Sequence, residues 1–140
     1  MVERYVPIDT EAGILMGRTV FLDRVDYDYR GNSASLIGTL LSTSEQEFAY
    51  ELTFLGIVSF SITELDFYEY RGKSAFDEII NSKLVDAFKH HDSARKLSPI
   101  HRHFRLIAYD DVFEIACLNF SFSIRRGVTA SPSLAAGPGG

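Results

Sequence analysis

Apolar and polar positions alternate most clearly between His101 and Ile124, in HRHFRLIAYDDVFEIACLNFSFSI. Two runs rich in β-branched and aromatic residues flank Asp110-Asp111, the pattern of a β-hairpin. A two-residue Asp110-Asp111 loop pairs Tyr109 with Val112, Ala108 with Phe113, Leu106 with Ile115 and Phe104 with Cys117. Strand side chains point to alternate faces, so this register gathers Phe104, Leu106, Ala108, Phe113, Ile115 and Cys117 on one wholly apolar face. The other face receives His103, Arg105, Ile107, Tyr109, Val112, Glu114 and Ala116, with Arg105 and Glu114 as diagonal neighbours within reach of an ion pair. Beyond Cys117 the apolar positions shift parity to Leu118, Phe120, Phe122 and Ile124, which predicts a β-bulge near residues 117–119.

The same reading places further strands upstream. Residues 1–17 lead in as an extended arm or short strand. Thr19 to Tyr29 alternates, with Asp23 out of phase and so a twist or bulge there. Arg30-Gly31-Asn32-Ser33 is turn chemistry, and Ala34 to Leu41 returns as its hairpin partner. Phe48, Tyr50, Leu52, Phe54, Val58, Phe60 and Ile62 share one parity, interrupted by Gly56. A single strand of that length is unusual, so the run is one bent strand or two strands broken at Gly56.

One stretch changes period. Phe76, Ile79, Ile80, Leu84, Ala87 and Phe88 recur at helical spacing, which predicts a helix from a Ser74 N-cap to about His90, with Asp77 completing a weak capping box. The Asn81-Ser82 pair divides it into two short helices if it breaks. The tail from Arg125, rich in Gly, Pro, Ser and Ala, has too few apolar residues to pack. The fold class expected is α+β: a mainly antiparallel sheet or partly closed barrel of about six strands with one packed helix. Residues 1–126 form the β-rich domain and 127–140 a flexible tail.

Composition changes this picture little. At 140 residues and 15.7 kDa, one domain is expected, and eleven Phe and seven Tyr without Trp suit a β-rich core. Cys117 is the single cysteine, so neither an internal disulfide nor a cysteine zinc cage is available, and its place on the apolar face makes it a core residue. The first residues lack the apolar stretch of a signal peptide, and no run approaches a membrane span, so a cytoplasmic setting is expected. Net charge is −5 and uneven: twelve acids against four bases in residues 1–70, seven acids against ten bases in residues 71–140. An acidic chain argues against general nucleic-acid binding, which needs a basic surface.

Candidate chemistry concentrates in KHHDSARKLSPIHRHFR, residues 89–105, where five Lys or Arg stand against Asp92 alone. All four histidines lie here. His90, His91, His101 and His103 are a candidate metal set, since imidazoles suit zinc, copper or nickel. Lys89, Arg102, Arg105, His101 and His103 are a candidate anion or small-ligand patch. Solvated or hydrogen-bonded histidines in a loop that balances the acidic N-terminal half would account for the same residues. No nucleophile elbow, P-loop or dinucleotide fingerprint occurs, so no cofactor is expected and nothing requires an enzyme.

The order SAFDEIINSKLVDAF then HFRLIAYDDVFEIACLNFSF resembles a small uncharacterised bacterial family, over about residues 74–124. There a helix precedes a closing hairpin with a YDDVFE-like turn. The resemblance implies bacterial origin and a compact β-rich domain and brings no catalytic residues. Two functions are then in view: a non-enzymatic, immunity-like module that binds a protein partner, or a ligand, anion or metal site at residues 89–105.

Overall fold

The computed structural model describes residues 2–42, 46–68, 73–90 and 100–126. The strands are β1 (Arg4–Pro7), β2 (Asp9–Thr10), β3 (Gly13–Ile14), β4 (Val20–Asp28), β5 (Ser33–Leu41), β6 (Glu47–Leu55), β7 (Ser59–Glu64), β8 (Phe76–Ile80), β9 (Arg102–Ala108), β10 (Asp111–Cys117) and β11 (Asn119–Arg126). One helix, α1 (Lys83–Lys89), and a short 3-10 turn at Leu65–Phe67 join them. All pairings between these strands are antiparallel, so the predominantly antiparallel β architecture with one helix stands as expected.

The sheets do not close into a barrel. The strands, eleven rather than about six among the described residues, form a five-stranded sheet ordered β1-β8-β9-β10-β7 and a four-stranded sheet ordered β11-β6-β5-β4, with β2-β3 as a ribbon. The two larger sheets share one core. Phe54 of β6 meets the rings of Phe76 on β8 and Phe104 on β9, and Phe120 of β11 meets both as well. Phe54, Phe76 and Phe104 are fully buried, each contributing roughly 1.5–3 kcal/mol through apolar burial.

The hairpin faces are as the alternation predicts, but its loop is not. The loop is Tyr109-Asp110: Asp111 pairs with Ala108, Phe113 with Leu106, and Glu114 sits directly opposite Arg105. The observed pairing differs from the predicted one by two residues, which preserves every side-chain face. Tyr109 takes up the left-handed conformation, φ 55°. Its ring stacks on Phe21 of β4 at 5.4 Å and lies under the guanidinium of Arg18, just before β4, at 5.0 Å, contacts that sequence periodicity does not encode.

The bulge expected near residues 117–119 is a change of sheet. β10 ends at Cys117, and β11 pairs Asn119 with Leu55 in the other sheet. The parity shift arises because β11 buries its residues against a different partner. The long run at residues 48–62 breaks in the same way: β6 and β7 belong to different sheets, and Ile57, not Val58, is buried at the corner. Gly56 has φ 66°, and a Cβ there would stand 2.6 Å from Leu118 Cδ1, so both sheet changes cross at one point that only glycine fits.

The predicted helix from Ser74 is also corrected. Phe76–Ile80 is strand β8, hydrogen-bonded between β1 and β9, with Phe76 in the core and Asp77 buried on the opposite face. Apolar residues at 76, 79 and 80 fit a strand buried on both faces as well as a helix. Asn81, at φ 60°, ends the strand, and Ser82 starts α1 by accepting a 3.0 Å hydrogen bond from the Val85 amide. Asp23 is the residue at which the β4–β5 register shifts, the irregularity its phase predicts. The tail at residues 127–140 lies outside the described residues.

Candidate functional site

The non-core face of the β8-β9-β10 sheet carries a row of polar side chains. On β9, alternation turns His103 and Arg105 to this face. On β10 it turns Glu114, and on β8 Asp77. Buried polar side chains need partners, and each of these four has at least one.

His103 is the centre of one cluster. Its side chain is 4% exposed. Nδ1 lies 2.8 Å from Ser82 Oγ, and Nε2 lies 3.0 Å from Glu114 Oε2. The Val85 amide donates to Ser82 Oγ, and in the tautomer that carries its proton on Nε2 the imidazole donates to Glu114 and accepts the Ser82 hydroxyl proton at Nδ1. The two residues before β1 pin this turn, since Glu3 Oε2 accepts from the Lys83 amide at 2.8 Å and Asn81 Nδ2 donates to the Val2 carbonyl at 3.2 Å.

Arg105 is the centre of a second cluster. It is fully buried, paired with the equally buried Asp77 carboxylate, which also accepts from the Ser74 hydroxyl. The Tyr5 ring lies 4.4 Å from the Arg105 guanidinium carbon. Burial pushes the Tyr68 hydroxyl well above the usual tyrosine range, assisted by the Glu114 charge and opposed by Arg105. The structure thus makes Arg105 an internal counter-ion rather than a surface cation. Ser74 and Asp77, expected to cap a helix, are its partners.

Arg102 points to the other side of the sheet and is clamped by Glu78, with Nε–Oε2 3.0 Å and NH2–Oε1 2.8 Å. Its guanidinium lies 4.8 Å from the Phe104 ring centre, and the Glu78 hydrogen bonds raise its pKa above the ordinary arginine value. Such bidentate pairing fixes the arginine head.

Beside the His103 cluster, α1 and the ends of β8 and β9 line an open cavity of about 850 Å³. Four residues singled out from the sequence line it: Lys89, His101, Arg102 and His103. Asn81, Ser82, Lys83 and Asp86, which sequence reasoning missed as site residues, line it too. The available signal was Asn81-Ser82, a turn-and-cap pair. Arg105 is not part of the lining. His90 is exposed, 3.9 Å from Asp86, and His91 lies outside the described residues.

Among the described residues no three His, Cys, Asp or Glu side chains converge as a metal site; the expected set also includes His91, which lies outside them. Both ring nitrogens of His103 are engaged already. Cys117 is buried at the end of β10, where desolvation pushes its thiol from 9.0 up to about 12. It is core, as its alternation predicts.

No family model matches. Neither does any curated protein or solved structure. The functional reading therefore rests on the cavity and the residues around it. No helix among the described residues is long and apolar enough to cross a membrane.

Proposed function

We propose that the protein binds a small anionic molecule in the cavity between α1 and the ends of β8 and β9. The observation that carries this reading is the convergence of Lys83, Lys89 and His101 on one cavity with the Ser82 hydroxyl and the Asn81 amide. The Arg102–Glu78 pair cancels, and Lys83 and Lys89 outnumber Asp86, so the lining is left net positive and favours an anion, while the hydroxyl and amide supply directional hydrogen bonds. A volume of about 850 Å³ suits a metabolite-sized ligand. Isothermal titration with inorganic phosphate, citrate and a nucleoside monophosphate tests it. One of these should bind with a salt-dependent affinity that falls at least about tenfold in a Lys83→Gln, Lys89→Gln double variant. Absence of binding by all three at millimolar concentration sinks the reading.

A second reading, an immunity-like module that binds a protein partner, is favoured by one surface. β7 is an edge strand whose Ile62 is 55% exposed, followed by Phe67 at 85%. An exposed edge with apolar side chains is a template for an added strand. A partner held there is lost on Ile62→Lys while the fold persists. A stoichiometric partner that tolerates Ile62→Lys contradicts this placement.

A further inference from the structure

We propose that Ser82, His103 and Glu114 form a nucleophile, base and orienting acid that hydrolyse a carboxylic ester of an anionic molecule held in the cavity. The proposal rests on the ligand-binding reading of that cavity and adds chemistry to it.

Three observations meet here. Ser82 Oγ is 2.8 Å from His103 Nδ1, within the reach required of a nucleophile and its base. His103 Nε2 is 3.0 Å from the Glu114 carboxylate, so the base is itself held by a third group. Ser82 is half-buried and lines the cavity, whereas His103 is 4% exposed and shielded from bulk water. A cap alone needs the Ser82 oxygen to accept from the Val85 amide. It does not need a buried imidazole on the neighbouring strand, nor a carboxylate behind that imidazole. The order of contact also differs from a simple ion pair, because the imidazole stands between the hydroxyl and the carboxylate and contacts each through a different ring nitrogen.

The step balances with water as the co-substrate. Ser82 Oγ attacks the carbonyl carbon and forms a new C–O bond as its proton passes to Nδ1. Glu114 stabilises the imidazolium. The bond to the alcohol oxygen breaks, and the leaving alkoxide takes the proton from Nδ1. A water molecule then attacks the acyl-serine through the same base, releasing the carboxylic acid and restoring the Ser82 hydroxyl. Lys83, next to the serine, and Lys89, at the far end of α1, both line the cavity and hold the anionic end of the substrate.

A phosphonofluoridate reagent tests the relay directly, because it bonds to an activated serine oxygen with loss of fluoride. The full chain is treated and the adduct located by peptide mass mapping. The expected result is one adduct at Ser82, formed at least about tenfold more slowly in Glu114→Gln and absent in Ser82→Asn. Asparagine preserves the cap, so Ser82→Asn should keep its thermal midpoint near that of the parent. No adduct at Ser82 in folded protein, or equal rates with and without Glu114, overturns the proposal. Phosphate binding without an adduct overturns the relay and leaves the binding reading intact. An adduct without anion binding supports the relay and removes the anionic substrate class.

Discussion

His103 on β9 and Glu114 on β10 meet diagonally across the hairpin, with Nε2 and Oε2 3.0 Å apart and only 4% of the histidine side chain exposed. Removing the acceptor leaves a buried N–H with less than its full partnership. Glu114→Ala should lower stability by about 1–3 kcal/mol, and Glu114→Gln, which retains a carbonyl acceptor, by less. Denaturant unfolding of the two variants measures the difference.

Asp77 is the counter-ion of a guanidinium with no exposed surface. Asp77→Ala strands that charge and should destabilise by about 3–5 kcal/mol. Replacing both partners together, Asp77→Leu with Arg105→Met, removes the charge as well as the pair and should recover much of the loss. A double variant no more stable than Asp77→Ala contradicts the pairing.

Gly38 lies on the core face of β5, where a Cβ would come within 2.0 Å of the Phe21 carbonyl oxygen. The Tyr50 hydroxyl, paired across from Gly38, donates to that same carbonyl at 3.0 Å. Gly38→Ala must push β4 away and break this bond, with an expected loss of about 1–3 kcal/mol or more. A thermal midpoint unchanged in Gly38→Ala would show that β4 does not approach so closely.

The buried Cys117 thiol is pushed from 9.0 up to about 12, mainly by desolvation. In the unfolded chain the thiol ionises near 9, so between pH 9 and 12 the folded state holds the extra proton. Stability therefore falls as pH rises through that window. Burial of the Tyr50 hydroxyl acts in the same direction at the alkaline end. The alkaline loss should be smaller in Cys117→Ala, and alkylation of Cys117 by iodoacetamide at pH 8 should require unfolding.

Much of this architecture is legible in alternation. Phe104, Leu106, Phe113, Ile115 and Cys117 share a buried face as the pattern states, because a two-residue error in pairing leaves each residue on its own side. What alternation does not carry is which sheet a strand joins. The parity shifts at Gly56 and Leu118 are local signals of a break, yet only the opposing sheet distinguishes a bulge from a crossing. Phe76–Ile80 misleads for a related reason. A strand buried on both faces lacks two-residue alternation, and its apolar spacing then imitates a helix.

The site was partly visible. Lys89, His101, Arg102 and His103 were marked by composition and share one cavity. Arg105 was marked by the same composition and lies buried against Asp77, a partner 28 residues away that no spacing rule connects. Ser82 was missed because a cap serine looks the same whether or not an imidazole from another strand reaches it.

A small anion received in the cavity beside His103 must perturb the residues that line it. Amide and imidazole NMR spectra of the labelled chain, titrated with inorganic phosphate at constant pH and ionic strength, test it most directly. The expected result is saturable shifts centred on Asn81, Ser82, Lys83, His101 and His103, with β4 and β5 unmoved. Shifts spread evenly over the basic surface, or none at these residues, would contradict it.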